Sequence, residues 1–541
     1  MENLSVYIAA DAVVDYLGEY IKRNSNSQIE CEIAPYNQVS QILLSKAKKK
    51  SIFIWTSPDI QIPSFGKLIS FEPMELDCIL KEVEQFAGQI NNACSEYEQV
   101  FMLSWIIPEE YSIPLALSTK SKEGATDVLA RMNIHLSDLL KDNNNFHLID
   151  HQILSSKFTN VIHDPRLYAM AKIRYSLNYM KYIAEKIIPI IKASVVASRK
   201  IIICDLDNTL WSGIVGDDGL EGIKIGSNHP LGEAHLQLQK SLKALKNRGI
   251  LLAISSKNNH VIALDAIEKH PNMLLKKEDF VAKKINWNDK ASNILEMLNE
   301  LNLLTSSAVF LDDNPTERDR VRSAIPDILV PELPADVSEW SGILNSLNCF
   351  EVLSTSNEDK ERSKKYIDEN KRKDSFKLFG NMEDWLESLE LGLKVEKLDK
   401  YNLQRSTQLL NKTNQFNLST RRMSENELSK WSDNSNRLCL TFSVSDRYGD
   451  SGLTAFVTVE KIESRVKIID FVMSCRVMGK GIEEAIISQI IKIHKNLDIL
   501  MNPIPSNKNL PIQEFCKKVS PNGIITKGTS CPKHIEVVEL F

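Results

Sequence analysis

Residues 200–209 read Lys-Ile-Ile-Ile-Cys-Asp-Leu-Asp-Asn-Thr, an apolar run that ends on two acids. A short apolar run bounded in this way is typical of a buried strand in a parallel sheet. Where such a strand opens into a loop, the carboxylates of Asp205 and Asp207 can face one cavity. A pair of acids two residues apart is, on its own, more often found in a solvated turn, so the interpretation needs support from elsewhere in the chain.

Three later segments supply that support. A second apolar strand ends with the hydroxyl of Ser256, Lys290 opens a helical pattern, and a third strand ends in Asp312 and Asp313. A carboxylate can accept a phosphoryl group as an acyl phosphate. Clustered acids require a hard divalent cation, for which oxygen ligands favour Mg²⁺. Because a lysine and a hydroxyl would orient the phosphoryl oxygens, the set predicts a magnesium-dependent phosphoryl site.

In type and order, these residues resemble the haloacid dehalogenase superfamily over about residues 198–345. The resemblance implies that Asp205 is the nucleophile, that Asp207 is the general acid and base, and that Thr209 orders the loop. It also implies Mg²⁺ held by Asp205, the Asp207 carbonyl and Asp313 or Asp312. The catalytic set predicted for this site is Asp205, Asp207, Ser256 and Lys290, with substrate contacts from Thr209, Lys257 and Asn258.

The spacing of these motifs leaves little room for a cap domain. Members of the superfamily that act on small substrates usually carry a cap, but here the segments 210–254 and 257–289 must already supply core elements. What remains after Asp207 is a glycine-rich hairpin over residues 211–219, too small to seal the site. An open site suits a phosphate presented on a macromolecule, or one delivered by a neighbouring domain.

The last third of the chain carries a second candidate site, Cys475-Arg-Val-Met-Gly-Lys-Gly481, between a strand and a helix. The pattern Arg-x-x-Gly-x-Gly resembles the acyl-CoA loop of GNAT-type acyltransferases, in which backbone N–H groups hold an anion at a helix start. It predicts pantetheine contacts from Arg476, Gly479 and Gly481; a plain glycine-rich turn is the alternative. Cys475 is a candidate acyl acceptor, and a buried, inert cysteine is the alternative.

Taken together, several longer strings resemble the FkbH-like family from about residue 160 to 490. They are Asp205-Leu-Asp-Asn-Thr-Leu-Trp-Ser-Gly213, Gly216-Asp-Asp-Gly-Leu-Glu-Gly222, Ser256-Lys-Asn-Asn259, Phe310-Leu-Asp-Asp-Asn-Pro-Thr-Glu-Arg318, Lys412-Thr-Asn-Gln-Phe-Asn-Leu418 and Ser474-Cys-Arg-Val-Met-Gly479. Several strings in the correct order are far more specific than any single motif.

The resemblance implies a glyceryl transferase/phosphatase of polyketide-type biosynthesis. Such an enzyme loads 1,3-bisphosphoglycerate as an acyl group, removes phosphate, and passes the glyceryl unit to the phosphopantetheine thiol of an acyl carrier protein. Our hypothesis is that Cys475 carries the acyl group as a thioester intermediate. Two alternatives stay open: a plain magnesium-dependent phosphatase of a phosphoprotein or small phosphate ester, and a non-enzymatic binding module.

The predicted fold class is α/β, in three domains and a linker. Residues 1–195 alternate strands and helices, which predicts a doubly wound parallel sheet; this domain resembles SGNH hydrolases, but Tyr7-Ile-Ala-Ala-Asp11 lacks their serine, so we expect no hydrolase activity. Residues 196–350 form a Rossmann-like haloacid-dehalogenase-type core without a large cap. Residues 351–379 are a charged linker helix, and residues 380–541 an α+β GNAT-like domain. A long helix is expected over residues 167–193.

Composition narrows the functional classes further. The 541 residues carry a formal net charge of −5, without the Lys and Arg clusters that nucleic-acid binding demands. The nine cysteines are scattered, as in a reducing compartment. Neither a signal peptide nor a bilayer-spanning apolar run is evident, so we expect a cytoplasmic protein. His229, His235 and His260 form no metal triad and are interpreted as surface or helix residues.

Overall fold

A computed structural model describes residues 4–45, 51–195, 198–301, 303–353, 368, 372, 375, 376 and 379–540, except 414, 496, 508, 526 and 527, and except the side chains of residues 412 and 475. The chain divides into two compact units, residues 1–199 with 345–355 and residues 200–344 with 356–541. The finer division predicted at residues 195, 350 and 379 stays a prediction. Most of the predicted linker helix, 351–379, lies outside the described residues.

The N-terminal domain is a five-stranded sheet with the order β2-β1-β3-β4-β5, in which all neighbouring strands are parallel. Its strands are β1 (Leu4–Ala10), β2 (Ile29–Ile33), β3 (Ser51–Trp55), β4 (Gln99–Leu103) and β5 (Phe146–Ile149). Apolar side chains of alternate strand positions enter two separate cores, one on each face of the sheet. The predicted doubly wound parallel sheet is therefore confirmed.

Ten helices connect and cover these strands within the described residues. They are α1 (Asp15–Asn24), α2 (Val39–Leu43), α3 (Pro58–Gln61), α4 (Pro63–Ile69), α5 (Leu76–Glu96), α6 (Leu115–Ser118), α7 (Ala125–Leu140), α8 (His151–Lys157), α9 (Pro165–Ala171) and α10 (Leu177–Lys192). The expected single helix over residues 167–193 is two helices instead. It breaks because Lys172 takes a left-handed conformation, with φ of 59°, at the end of α9.

The phosphatase-like core is a parallel sheet with the order β8-β7-β6-β9. Its strands are β6 (Ile201–Cys204), β7 (Leu251–Ser256), β8 (Phe280–Ile285) and β9 (Ala308–Leu311). The α-helices are α11 (Val215–Gly222), α12 (Pro230–Asn247), α13 (His260–Lys269), α14 (Lys290–Glu300), α15 (Pro315–Ala324) and α16 (Trp340–Ser346). Every residue of β6 and β9 is buried, as continuous apolar runs require.

The segment expected to be a glycine-rich hairpin is mostly the short helix α11. One antiparallel bridge, between Ser212 and Lys224, closes the loop at its base. The helix begins where the Ile214 N–H donates to the Asp218 carboxylate over 2.8 Å. Eight residues are still too few to form a cap, so the predicted capless architecture fits the observed chain.

The C-terminal domain is a mixed six-stranded sheet with the order β14-β13-β12-β11-β10-β15. Neighbouring strands are antiparallel except at the two edges. Its strands are β10 (Leu391–Lys397), β11 (Arg437–Asp446), β12 (Gly449–Ile462), β13 (Arg465–Met473), β14 (Asp498–Leu500) and β15 (Ile535–Glu539). Its described helices are α17 (Met382–Ser388), α18 (Leu403–Lys412), α19 (Glu425–Ser432), α20 (Ile482–Ile493) and α21 (Leu510–Val519). This confirms the α+β pattern.

Five short 3₁₀ turns complete the described structure, at Lys277–Asp279, Thr305–Ser307, Val337–Glu339, Asn348–Phe350 and Cys475–Val477. Within the described residues, no helix is both long and apolar enough to cross a bilayer.

Candidate active site

The candidate phosphoryl site lies at the carboxyl edge of the β8-β7-β6-β9 sheet. Asp205 directly follows β6, Ser256 is the last residue of β7, and Asp312 directly follows β9. Because β6 pairs with both β7 and β9, the loops that leave these three strands are neighbours. Residues separated by more than a hundred positions in the chain are thereby brought together.

The centre of the site is a group of three carboxylates around one ammonium. Oxygens of Asp205, Asp312 and Asp313 lie within 4.8 Å of one another. Lys290 Nζ lies 2.8 Å from Asp205 Oδ2 and forms a second ion pair with Asp312. Lys290 is held there as the first residue of α14, whose start is capped by the Asp289 side chain.

The charge of this group fits a divalent cation. Burial raises the pKa of Asp312 to about 7, with the Asp205 charge adding to the effect, and both causes also raise the pKa of Asp313. Burial opposes the protonated form of Lys290, but the carboxylates of Asp205 and Asp312 raise its pKa overall. One lysine leaves excess negative charge. Asp205 Oδ1 is buried without a hydrogen-bond partner among the described residues, as expected of an oxygen that a metal would bind.

Asp207 is held apart from this group by a set of donors. Its Oδ1 accepts from Trp211 Nε1 at 2.8 Å and from the Val215 N–H at 3.0 Å. Its Oδ2 accepts from Asn258 Nδ2 at 2.7 Å. Burial raises the pKa of Asp207, which favours the protonated acid. An oriented carboxyl with a raised pKa suits a group that gives and takes a proton. The role of Trp211 as a donor to this carboxyl was not predicted.

Thr209 orders the loop between the acids, as the resemblance implied. Its hydroxyl accepts from the Asp313 N–H at 3.1 Å and reaches Asp313 Oδ1 at 3.3 Å. Its carbonyl pairs with His235 Nδ1 at 2.8 Å. His235 is a helix residue, as interpreted, since it lies on α12, and it is 1% exposed, so it faces the interior. Its partner is a backbone carbonyl, and sequence patterns carry no signal for such a contact.

The remaining predicted residues divide into two groups. Ser256 is buried at the end of β7, and Asn258 contacts Asp207 as described. The Lys257 ammonium pairs instead with Glu317 at 2.7 Å, so it is turned toward α15. A further residue not singled out from the sequence, Arg318, donates from Nη1 to the carbonyls of Asp312 and Asp313 at 2.9 and 2.8 Å. It fixes the backbone that carries both acids.

The glycine-rich loop of the C-terminal domain has a geometry of its own. Gly479 and Gly481 have φ of 73° and 83°, and Gly481 is the N-cap of α20. The Gly479 N–H, which could hold an anionic ligand, donates to Glu483 Oε1 at 2.8 Å. Burial raises the pKa of Glu483. The Arg476 guanidinium donates to Ser474 at 3.2 Å. The chain's own carboxyl group thus accepts one of the N–H groups that the sequence predicted to contact pantetheine.

The side chain of Cys475 lies outside the described residues, so its assignment as an acyl acceptor stays a prediction. Its backbone belongs to the 3₁₀ turn that leads from β13 toward the glycine-rich loop.

Comparisons with known proteins bear on the N-terminal domain and the phosphatase-like core. Residues 18–192 match the family model described as FkbH, N-terminal domain. The crystal structure of the N-terminal part of the protein BF1531 from Bacteroides fragilis, containing a phosphatase domain complexed with Mg, is similar with 32% identity. The match covers 65% of this chain and 95% of that chain, with a TM-score of 0.58.

Two more distant matches carry no functional argument because their TM-scores are low. The ribosomal-protein-S18-alanine N-acetyltransferase of Escherichia coli matches at 10% identity over 24% of this chain and 76% of its own, with a TM-score of 0.18. An acetyl xylan esterase variant of Geobacillus stearothermophilus matches at 10% identity over 36% and 98%, with a TM-score of 0.25. No curated protein matches the sequence significantly.

Proposed function

Since this chain belongs to the FkbH-like family and is an enzyme with a phosphatase domain of the haloacid dehalogenase type, we propose that it is a bifunctional glyceryl transferase/phosphatase. It takes a glyceryl unit from 1,3-bisphosphoglycerate and loads it on the phosphopantetheine thiol of an acyl carrier protein, and it removes the remaining phosphate while the unit is held as a thioester. The observation that carries the phosphatase half is the cluster of Asp205, Asp312 and Asp313 around Lys290.

The positions of these groups support the following chemistry for the phosphatase half. An Asp205 oxygen attacks phosphorus, the bond from phosphorus to the leaving oxygen breaks, and Asp207 gives its proton to that oxygen. A water then attacks the phospho-aspartate, Asp207 takes the water proton, and phosphate leaves. Lys290 balances charge on the phosphoryl oxygens throughout. Mg²⁺, held by Asp205, Asp313 or Asp312 and the Asp207 carbonyl, would supply additional positive charge at the phosphoryl group.

The open architecture supports a substrate tethered to protein. Between β6 and β7 the chain adds α11 and α12, and α12 packs as part of the core. With the eight-residue α11 in place of a cap domain, we expect a long flexible arm to be able to reach the acids at the sheet edge. A phosphoglyceryl group on a pantetheine arm is such a substrate.

The transferase half uses the acyl phosphate as an activated donor. The Cys475 thiolate attacks the carbonyl carbon, the carbon–oxygen bond to phosphate breaks, and a thioester forms. The thiolate of the pantetheine arm then attacks the same carbon, and the Cys475 thiolate leaves. The Glu483 carboxyl already accepts the Gly479 N–H. The loop therefore suits the uncharged amide part of the pantetheine arm better than the phosphate of the arm.

Intact-protein mass spectrometry of a pantetheinylated carrier protein tests this function. Incubation with the enzyme, 1,3-bisphosphoglycerate and Mg²⁺ is expected to add the mass of a glyceryl group. With the Asp205→Asn variant the carrier is expected to keep a phosphoglyceryl mass, because transfer proceeds and dephosphorylation does not. With Cys475→Ala neither mass is expected; an undiminished glyceryl adduct would remove Cys475 as the residue that carries the acyl group.

A second candidate function is a plain magnesium-dependent phosphatase whose C-terminal domain only binds a partner. The specific observation in its favour is the Glu483 carboxyl, which lies in the first turn of α20 and accepts the Gly479 N–H of the loop that an acyltransferase would use for an anion. An unmodified carrier protein, together with magnesium-dependent turnover of a simple phosphate ester, would support this candidate over the first.

A further inference from the structure

An apolar cleft lies between the end of α4 and the start of α7 in the N-terminal domain. It is an open space of about 580 Å³, of which about 200 Å³ admits water-sized groups. None of its lining residues belongs to the loops that directly follow β1 and β3, so it is not the crevice at which open α/β sheets usually bind ligands. Its large apolar side chains are those of Leu68, Ile69, Phe71, Ile113, Pro114 and Leu117.

Phe71 lines this cleft from a strained backbone position. The helix α4 ends in a Schellman motif, in which the Phe71 N–H donates to the Leu68 carbonyl and the Glu72 N–H donates to the Lys67 carbonyl, both at 3.0 Å. Phe71 occupies the residue of this motif that favours glycine, with φ of 63°. Its ring is 63% exposed, so contacts within the chain do little to offset the strain. Strain of this kind is typical of positions that contact a ligand.

The α6 side of the cleft is held in place by a close backbone contact. A Cβ atom at Gly124 would lie 2.3 Å from the Ser118 carbonyl oxygen, so only glycine lets the end of α6 approach the start of α7 in this way. Leu117 of α6 lines the cleft, although its side chain is 55% exposed. The cleft therefore exposes two large apolar side chains to water, and an apolar ligand would relieve that exposure.

The volume and the charges of the lining restrict the class of ligand. An apolar cavity of about 150 Å³ can bind benzene, so a space of about 200 Å³ holds a hydrocarbon group of about six to eight carbons. The two charged residues in the lining, Lys120 and Glu123, pair with each other. Because their charges compensate, the cleft favours neither an anionic nor a cationic ligand.

We propose that this cleft binds the unbranched alkyl chain of an uncharged amphiphilic ligand. About six to eight carbons of the chain pack against Phe71 and Leu117, and the polar head group stays in solvent. This binding site uses none of the residues of the phosphoryl site and does not depend on the proposed function.

Ligand-observed saturation-transfer NMR with the full chain tests this site. The probes are 1-butanol, 1-hexanol, 1-octanol and 1-decanol, which share one head group and differ only in chain length. Burial of one methylene group corresponds to about a fourfold gain in affinity, so the affinity is expected to rise by about that factor per methylene up to 1-octanol. Once the cleft is full, 1-decanol is expected to bind less than about twofold more tightly than 1-octanol.

Matched variants on α6 assign this binding to the cleft. Leu117→Asp places a charge in the apolar wall, and its affinity for 1-octanol is expected to fall at least about tenfold. The control is Leu115→Asp, on the same short helix, where the side chain is 88% exposed and does not line the cleft. It is expected to bind as the unsubstituted chain does.

The variant Phe71→Gly separates ligand binding from folding. It removes the ring from the cleft but introduces the residue that the Schellman motif favours. The affinity for 1-octanol is therefore expected to fall at least about fivefold, while the unfolding temperature of the N-terminal domain stays the same or rises. This variant keeps the test valid if Leu117→Asp does not fold.

Several results would overturn the proposal. An affinity that keeps rising by the same factor up to 1-decanol, or an equal loss in Leu117→Asp and Leu115→Asp, would indicate adsorption at the surface. A lower unfolding temperature in Phe71→Gly would make Phe71 a packing residue. The absence of binding by every alcohol would leave the cleft to an apolar side chain of a partner protein.

Discussion

Among single residues, Asp205 is the proposed nucleophile of the phosphoryl site. Its Oδ2 is paired with Lys290 and its Oδ1 has no partner among the described residues. Asp205→Asn keeps the shape but removes the charge and the nucleophile, so we expect kcat for p-nitrophenyl phosphate to fall at least about 10³-fold. The matched control is Asp319→Asn, an exposed acid on α15. Residual turnover within tenfold of the unsubstituted enzyme would contradict the assignment of the nucleophile.

Glu483 occupies one backbone donor of the glycine-rich loop, so we expect it to limit which ligands the loop binds. Its carboxyl accepts the Gly479 N–H at 2.8 Å. In Glu483→Ala that N–H is free, and one charge-assisted hydrogen bond to a phosphate contributes about 1.5–3 kcal/mol. We therefore expect the affinity for free coenzyme A to rise at least tenfold in isothermal titration calorimetry. Glu484→Ala, at a neighbouring residue that pairs with Lys518, is expected to have no effect. An unchanged affinity in both variants would mean that the loop does not contact phosphate.

Some residues of the phosphoryl site could be predicted from the sequence, and others could not. Asp205, Asp312 and Lys290 could be predicted because each stands at a strand end or helix start, where topology brings side chains together. His235 and Trp211 could not, because their partners are a backbone carbonyl and a carboxyl whose positions depend on the folded loop. Lys257 has the right residue type and position, yet it pairs with Glu317, an alternative partner that spacing does not reveal.

At the scale of elements, α8 and α10 are joined by a buried histidine, His151, whose burial leads us to expect that acid destabilises the N-terminal domain. His151 Nε2 lies 2.8 Å from the Tyr179 hydroxyl, and burial lowers the pKa of His151 from 6.5 to about 4. At pH 5 it is neutral in the folded chain and protonated in the unfolded chain, so unfolding takes up a proton. As the pH falls from 6.5 to 4, this histidine therefore lowers the free energy of unfolding by about 1.4 kcal/mol per pH unit.

We therefore expect the unfolding temperature of the N-terminal domain to be lower at pH 5 than at pH 7. It can be followed by the near-ultraviolet signal of Trp55, which stacks on Tyr175. In His151→Gln the domain is expected to be less stable at pH 7 but to lose less stability over that range. His135→Gln, on the surface helix α7, serves as the control, because no comparable burial applies to it. An equal loss in all three proteins would show that other groups control the acid response.

Elements were predicted well where one signal dominates. The strands β6 and β9 are uninterrupted apolar runs, and the structure contains both of them. Three features were missed for distinct reasons. The strand β8 carries two lysines in its middle, α11 contains three glycines that resemble a turn, and the helix expected over 167–193 breaks at Lys172 through a backbone conformation that its side chain does not encode.

For the whole molecule, the division into two units predicts that Mg²⁺ stabilises only the unit that contains the phosphoryl site. Ligand binding stabilises the state that binds it by RT ln(1 + [L]/Kd), which is about 2.7 kcal/mol at a hundredfold excess over Kd. The three clustered acids that would hold Mg²⁺ all lie in residues 200–344, so we expect Mg²⁺ to stabilise that part of the chain directly. Hydrogen exchange measured by mass spectrometry should show slower exchange with Mg²⁺ in peptides from β6, β9 and the start of α14. Peptides from β1 to β5 should exchange at unchanged rates.

In Asp313→Asn the protection should require at least tenfold more Mg²⁺, since one of the three clustered carboxylates is then neutral. The control variant Asp319→Asn should behave as the unsubstituted chain. A site built from these three acids can slow exchange only through the loops that carry them. Mg²⁺ would therefore be bound weakly at the surface instead if exchange slowed uniformly over the whole chain, or if the protection persisted in Asp313→Asn at the same Mg²⁺ concentration.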